Sequence, residues 1–323
     1  MASPTFFQQH RIDDHALAAE AVAGLTAQAA HVSPKFFYDA LGSRLFDAIT
    51  ELDAYYPTRT EAAIFAAHSA DMARAVHVAA GAAPTLVDLG AGNCAKAARL
   101  FAALRPSRYV AVDISVAFLR EALERLQREH PAVTMVGVGL DFSAELRLPP
   151  AALGEDGKPA LVFYPGSSIG NFDHDAALHL LRQTRALANG GGLLIGVDLV
   201  KPKAMLEEAY DDELGVTAAF NLNLLKHLNR LLGADFRVRD WQHLALYDET
   251  ASRIEMHLRA RADMTVRWRG GERRFAAGER IHTENSYKWL PEDFAALLHV
   301  AGFGRVQRWS DDRDWFAVFL ATG

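Results

Sequence analysis

What this 323-residue chain lacks narrows it first. It has a single cysteine, Cys94, so internal disulfides are excluded and a reducing compartment is expected. Its longest apolar runs, such as 192–200, are strand-sized and far short of a membrane span. The opening MASPTFFQQHRIDDHALAAE puts polar and acidic residues where a secretory signal needs an apolar stretch. A cytoplasmic location is therefore the expectation. No basic stripe with interleaved aromatics occurs, and net charge is −6 at pH 7. A phosphate backbone is a poor partner for such a surface, so neither nucleic acid nor membrane is expected. The thirteen histidines show no HExxH or similar spacing, and His174 and His179 lie five apart, off a common helical face. No metal site is read from them. Internal repeats and low-complexity linkers are missing as well.

What is present is an ordinary globular composition, 50% hydrophobic and 23% charged. Residues 10–80 read as mostly helical around the loop ELDAYYPTRTE (51–61). From Pro84 strands and helices alternate: apolar strand runs at 85–90, 107–115, 134–142, 159–166 and 191–200, helical spacing at 116–130 and 173–188. Five such strands with helical crossovers predict a doubly wound parallel sheet covered on both faces. Past Lys201 the rhythm breaks: 203–232 reads as helical with one long amphipathic segment, and 236–280 as an antiparallel β unit. A helix over 291–301 and a final hairpin through RVQRWS and 315–322 return to α/β. The expected organisation is a Rossmann-like α/β core (58–200 and 291–323) and a smaller α+β substrate domain (1–57 and 201–290).

The loop DLGAGN (88–93) follows the first strand of that core and opens a helix. Gly90 and Gly92 permit close backbone approach to a ligand, and a helix start supplies N–H groups. Asp113 ends the next strand 21 positions after Gly92, where a carboxylate can accept both hydroxyls of a ribose. Dinucleotides use the same geometry, and residues 90–95 fit GxGxxA, so the loop alone leaves a dehydrogenase open. Two features favour S-adenosyl-L-methionine. Asp88 precedes the first glycine by two residues, where it can face a ligand ammonium. Asp141 and Phe142 end the third strand of the core, offering an acceptor and a stacking face to adenine. Lys96, at the helix start, completes the expected cofactor set. Cys94 has no His and acid partners in pattern and reads as a small loop residue.

Four further patches are polar or aromatic where a core would not need them: YYPTR (55–59), GSSIGN (166–171), AYDD (209–212) and HTENSYKW (282–289). Together with DLGAGN and the stretches at 36–62, 198–221 and 253–261, they resemble the histidine-specific Nα-methyltransferases of ergothioneine biosynthesis, the EgtD family, along almost the whole chain. The resemblance implies a class I methyltransferase core with a second domain, and transfer of three methyl groups to the α-amine of L-histidine, giving hercynine. It implies that Asn171 and Tyr210 hold the substrate α-carboxylate and amine and form the catalytic pair, with Gly166 on the same loop as Asn171. It implies that Glu284 and Ser286 hydrogen-bond the imidazole, that Tyr38, Phe46 and Tyr55 line the site, and that Met256 forms an apolar wall. AGN in place of the family's more usual SGT, and LDF in place of GDF at 140–142, are departures.

The chemistry of these residue types agrees. Methyl transfer from a sulfonium to an amine needs a neutral nitrogen, so positioning and desolvation matter more than a strong base. Amide and phenol groups hold an amino acid without trapping its amine as ammonium. A carboxylate suits an imidazole N–H, and aromatic rings suit a growing quaternary ammonium. Met256 alone is equally well explained as core, and Asp211-Asp212-Glu213 reads as a solvated helix start. A relative acting on tryptophan or a modified histidine is the alternative within the class. A monomer taking a small-molecule substrate is the expectation.

Overall fold

The structure is a computed structural model; it describes residues 3–8, 14–143, 145–154 and 157–323. Thirteen strands occur among these residues: β1 (Thr5–Gln8), β2 (Thr85–Leu89), β3 (Arg108–Asp113), β4 (Thr134–Gly139), β5 (Ala160–Tyr164), β6 (Gly192–Asp198), β7 (Trp241–Asp248), β8 (Arg253–Ala260), β9 (Met264–Trp268), β10 (Gly271–Phe275), β11 (Arg280–Tyr287), β12 (Arg305–Ser310) and β13 (Phe316–Thr322). The chain divides into two compact units. One takes Met1–Arg11, Pro57–Val200 and Lys288–Gly323; the other takes Ile12–Tyr56 and Lys201–Tyr287.

The first unit is built on one eight-stranded sheet of order β1-β4-β3-β2-β5-β6-β13-β12. Neighbours from β1 to β6 run parallel, and β13 and β12 add an antiparallel hairpin at the far edge. Every residue of β5 and β6 is buried, which is why these strands read as continuous Val/Leu/Ile runs rather than alternating ones. Order reverses at β2, which pairs with β3 on one side and β5 on the other. Ligands of open α/β sheets bind at the carboxyl ends of strands flanking such a reversal. Residues 5–8 are a correction to the expected substrate domain: they form the edge strand beside β4, with Thr5 opposite Val136. Four residues carry too little periodicity to announce a strand, and only its partner in space specifies it.

The second unit holds the antiparallel sheet β11-β8-β7 and the hairpin β9–β10, with helices Asp14–Thr26, Ala40–Thr50, Lys203–Tyr210 and Val216–Leu232. The stretch expected to be helical over 203–232 is two helices, and the long amphipathic segment within it begins only at Val216. Gly215, at φ +72°, breaks the path, and Asp212 caps the second helix, its Oδ2 and Oδ1 accepting from Val216 N at 2.9 Å and Thr217 N at 2.7 Å. Asp212 is thus buried rather than solvated; two backbone donors replace the water it gives up. β7 alternates buried and half-buried residues along its whole length, the period-2 signature of a sheet with one covered face.

Candidate active site

In the first unit the loop after β2 is tied to the next strand. Gly90 N and Ala91 N both donate to Val112 O, at 2.9 and 3.1 Å. Gly90 and Gly92 adopt φ of +68° and +52°, and a Cβ on either would find nothing nearer than 4.0 Å. These glycines therefore border open space, as a loop that takes a ligand against its backbone must. Asp113 closes the same loop: its Oδ2 accepts from Gly92 N at 2.9 Å and its Oδ1 from Ser115 N at 2.8 Å. Burial pushes its carboxyl up from the usual range, and the N–H bonds of Ser115, Gly92 and Ile114 oppose that. The helix predicted after the loop is broken into Ala95–Ala98 and Phe101–Leu104.

Asp88 lies inside the sheet with 2% of its surface exposed. Tyr109, on β3, donates its hydroxyl to Asp88 Oδ2 at 2.6 Å, while Oδ1 has no hydrogen-bond partner. Burial raises the carboxyl to about 7, with the Asp113 charge adding and the Tyr109 hydroxyl and Lys96 opposing. A buried, unsatisfied carboxylate oxygen beside an open glycine loop suits a cationic group of a ligand, and the sulfonium amino acid carries one in its α-ammonium. Phe142 lies at the loop too, its ring edge-on to Tyr164 at 5.8 Å and its Cζ nearest the Cβ position of Gly90. Asp141 closes a turn, accepting from Ser143 N at 3.0 Å and Ser143 Oγ at 2.5 Å. Cys94, in the left-handed conformation at φ +62°, is buried, and burial pushes its thiol up to about 12.

Sequence reasoning missed Glu61. Its side chain is 1% exposed; Oε2 pairs with Lys96 Nζ at 2.8 Å and Oε1 accepts from Gly166 N at 2.7 Å. One carboxylate thus joins the helix after the glycine loop to the loop after β5. Gly196, on β6, leaves the room: a Cβ there would fall 2.1 Å from Glu61 Oε1. The signal was available as an acidic residue closing YYPTRTE, but its partners are 35 and 105 positions away. Asn171 ends the 3-10 turn Ser168–Asn171 on that same loop, which Ser167 enters at φ +57° while its Oγ accepts from Asp198 N at 2.8 Å. Glu61 therefore brings Gly166 to Lys96, one of the residues expected to hold the cofactor, and Asn171 follows on the same loop.

The remaining expected site residues gather in the second unit. Aromatic rings form a series: Tyr38 to Phe46 at 5.9 Å, Phe46 to Tyr55 at 6.4 Å and Tyr55 to Tyr210 at 6.1 Å, each edge-to-face. Phe220, which the sequence did not single out, backs the series at 5.9 Å from Tyr38 and 6.0 Å from Phe46. The Tyr210 and Ser286 hydroxyls are 2.7 Å apart. Glu284 stands opposite Met256 and Ser286 opposite Ile254 in the ladder, so all four project from one face of β11 and β8. Behind Tyr210, its carbonyl accepts from His243 Nε2 at 2.8 Å, and Asn221 Nδ2 donates to His243 Nδ1 at 2.8 Å. These two bonds require a neutral ring, and burial holds its pKa below the ordinary value.

Two clusters thus stand out, one with a buried carboxylate oxygen beside an open glycine loop and one lined by aromatic rings with a phenol, a hydroxyl and a carboxylate. The model of the family described as histidine-specific methyltransferase, SAM-dependent, matches residues 17–323. The chain is 41% identical over 314 residues to the histidine N-alpha-methyltransferase of Mycolicibacterium smegmatis, covering 95% of each. It is 40% identical to the enzyme of that name from Mycobacterium tuberculosis, again over 95% of each. It is 32% identical over 298 residues to ergothioneine biosynthesis protein 1 of Neurospora crassa, 88% of this chain against 32% of that longer protein. With the doubly wound sheet and its glycine loop at the switch point, a match of this extent places the chain in the family of histidine-specific, S-adenosylmethionine-dependent methyltransferases.

Proposed function

We propose that this protein methylates the α-amine of L-histidine three times with S-adenosyl-L-methionine, yielding hercynine for ergothioneine synthesis, as a cytoplasmic monomer. Among the described residues no helix is long and apolar enough to cross a membrane. The observation that carries the substrate is the second-unit cluster, in which Tyr210, Ser286 and Glu284 join an aromatic series in a chain of the histidine-specific family.

In this reading Gly90, Gly92, Lys96, Asp113, Asp141 and Phe142 hold the methyl donor, and Asp88 receives its α-ammonium. The donor supplies an electrophilic methyl on a sulfonium. Asn171 and Tyr210 hold the amino acid by its carboxylate and amine. An amide and a phenol present no fixed negative charge to the amine, so they do not stabilise the ammonium that would withhold its lone pair. With the donor bound, each transfer would form an N–C bond as the donor's C–S bond breaks, and the nitrogen, an ammonium in free histidine, must shed a proton before each of the three. Tyr38, Phe46 and Tyr55 offer their faces to the cation that accumulates. Glu284 accepts the imidazole N–H, Ser286 serves the other nitrogen, and Met256 walls the ring.

The test is to incubate the protein with S-adenosyl-L-methionine and each of the twenty amino acids and to weigh the products. Trimethylated histidine is expected; a persistent monomethyl endpoint, or preference for another amino acid, counts against the reading. Glu284→Ala is expected to cost histidine about 1.5–3 kcal/mol, roughly 10- to 150-fold in kcat/KM, because it removes a charged acceptor from a polar ligand.

A further inference from the structure

The segment that carries Glu284 does not run in simple alternation. β11 pairs with β8 as His282 opposite His257 and then Glu284 opposite Met256, with a register shift between them. Thr283 is the extra residue and has no partner in the ladder. Directly opposed residues of an antiparallel pair project to the same face, and a shift of one residue reverses the face. The bulge therefore separates two side chains that alternation would have kept together. His282 points with His257 and Glu255, where His257 Nε2 meets Glu255 Oε2 at 2.9 Å and His282 Nε2 meets Asn285 Oδ1 at 2.8 Å. Glu284 points with Met256, on the face where Ser286 meets Tyr210.

Thr283 is fully buried, and its hydroxyl donates across the pair to Met256 O at 3.0 Å. That bond ties the unpaired residue to the very residue that faces Glu284. Without the bulge, residues 284 and 286 would slide together, Glu284 opposite Glu255 and Ser286 opposite Arg253, turning both side chains away from the face of Met256 and Tyr210. Bulges recur beside active sites because they re-aim a side chain in this way.

We propose that Thr283 is a specificity-determining positioning residue: by locking the bulge through Met256 it aims Glu284 at the ring of the substrate. The inference rests on the assignment of Glu284 to the imidazole. It acts through Glu284 and contacts no reacting atom.

The experiment compares Thr283→Val, Thr283→Ser and Glu284→Ala in the full chain. It measures kcat and KM for histidine, the dissociation constant of S-adenosylhomocysteine, and Tm. Thr283→Val keeps the shape and loses the hydroxyl, and is expected to raise the histidine KM about 5- to 10-fold, the size of one buried hydrogen bond. Its kcat is expected to fall less, and its S-adenosylhomocysteine affinity to stay unchanged. Thr283→Ser restores the hydroxyl and is expected to recover the native KM to within about two-fold. A native KM in Thr283→Val overturns the inference. So does a KM in Thr283→Ser as poor as in Thr283→Val, or a parallel loss of S-adenosylhomocysteine affinity, which marks general loosening. If Thr283→Val shows no cooperative melting, Thr283→Ala removes the same hydroxyl without putting a methyl in its place and is read instead. Glu284→Ala separates the two levels: if it keeps full discrimination for histidine, the assignment of Glu284 falls and this inference with it. If it loses discrimination while Thr283→Val does not, only the inference about Thr283 falls.

Discussion

Cofactor binding is expected to strengthen as pH rises through neutrality, and Asp88 is the reason. Its carboxyl is raised to about 7, so at pH 6 most of it is protonated, and its Oδ1 has no hydrogen-bond partner. If Oδ1 takes the donor's α-ammonium, only the carboxylate form binds well, and the apparent Kd scales as one plus the ratio of protonated to ionised Asp88. That factor is about 11 at pH 6 and about 1.3 at pH 7.5, so affinity should rise about eight-fold, or about 1.3 kcal/mol. The ligand's own α-amine titrates at about 7.7–8.0 and contributes equally to wild type and variant, so their ratio removes it. Calorimetry with S-adenosylhomocysteine in two buffers of different ionisation enthalpy measures both affinity and protons released. Near pH 6 the wild type should release about 0.9 proton per ligand bound. Asp88→Asn should abolish the slope and lose affinity at both pH values, with the loss about eight-fold smaller at pH 6 than at pH 7.5. A wild-type Kd flat across this window, or an unchanged slope in Asp88→Asn, would refute the assignment of the ammonium to this carboxylate.

Three further outcomes are expected. Glu61→Gln keeps an acceptor for Gly166 N but removes the charge facing Lys96, whose side chain is 34% exposed and can turn to water; denaturant titration should show a loss of only about 1–2 kcal/mol. Lys288→Met removes the cation that faces the Asp198 carboxylate, since the pair meets at 2.8 Å with side chains 0% and 1% exposed. About 3–5 kcal/mol should be lost by the same titration, and the double variant with Asp198→Asn should recover much of it. Burial holds His243, His257 and His282 below the ordinary histidine value. At these three sites the fold binds fewer protons than the unfolded chain, outweighing the one extra proton that Asp88 holds in the fold near pH 6: the histidine contribution is complete above about pH 6.5 and is lost as pH falls toward the folded values. Tm should drop between about pH 7 and pH 5.5, and a flat profile would contradict the neutral His243 that bridges Asn221 and Tyr210.

The residues that were legible in sequence owe it to local chemistry. A glycine loop between an apolar strand and a helix start, with Asp113 at the next strand end, could be read as a ligand-binding loop because each part is a short-range signal. The β unit after residue 236 announced itself by alternation. The residues that were not legible depend on partners far along the chain. Thr5–Gln8 becomes a strand only because β4 offers an edge. Glu61 looks like any acidic residue near a helix start until Lys96 and Gly166 converge on it. Phe220 reads as one more apolar position on an amphipathic helix, yet it backs three other rings. The bulge at Thr283 is invisible because HTENSY spaces its residues as a regular strand would, and only the pairing with β8 shows where alternation fails.

Cys94 carries a practical consequence. The thiolate is the form that reacts with alkylating and oxidising agents, and with its thiol pushed to about 12 and the residue buried, only about one molecule in 10⁵ exposes that form at neutral pH. The folded protein is therefore expected to react only slowly with maleimides. A single cysteine placed on an exposed position, such as Val78 or Leu214, at 85% and 80% exposure, would be the one site to take a fluorophore. Each of the two compact units can in this way carry its own reporter in an otherwise native chain.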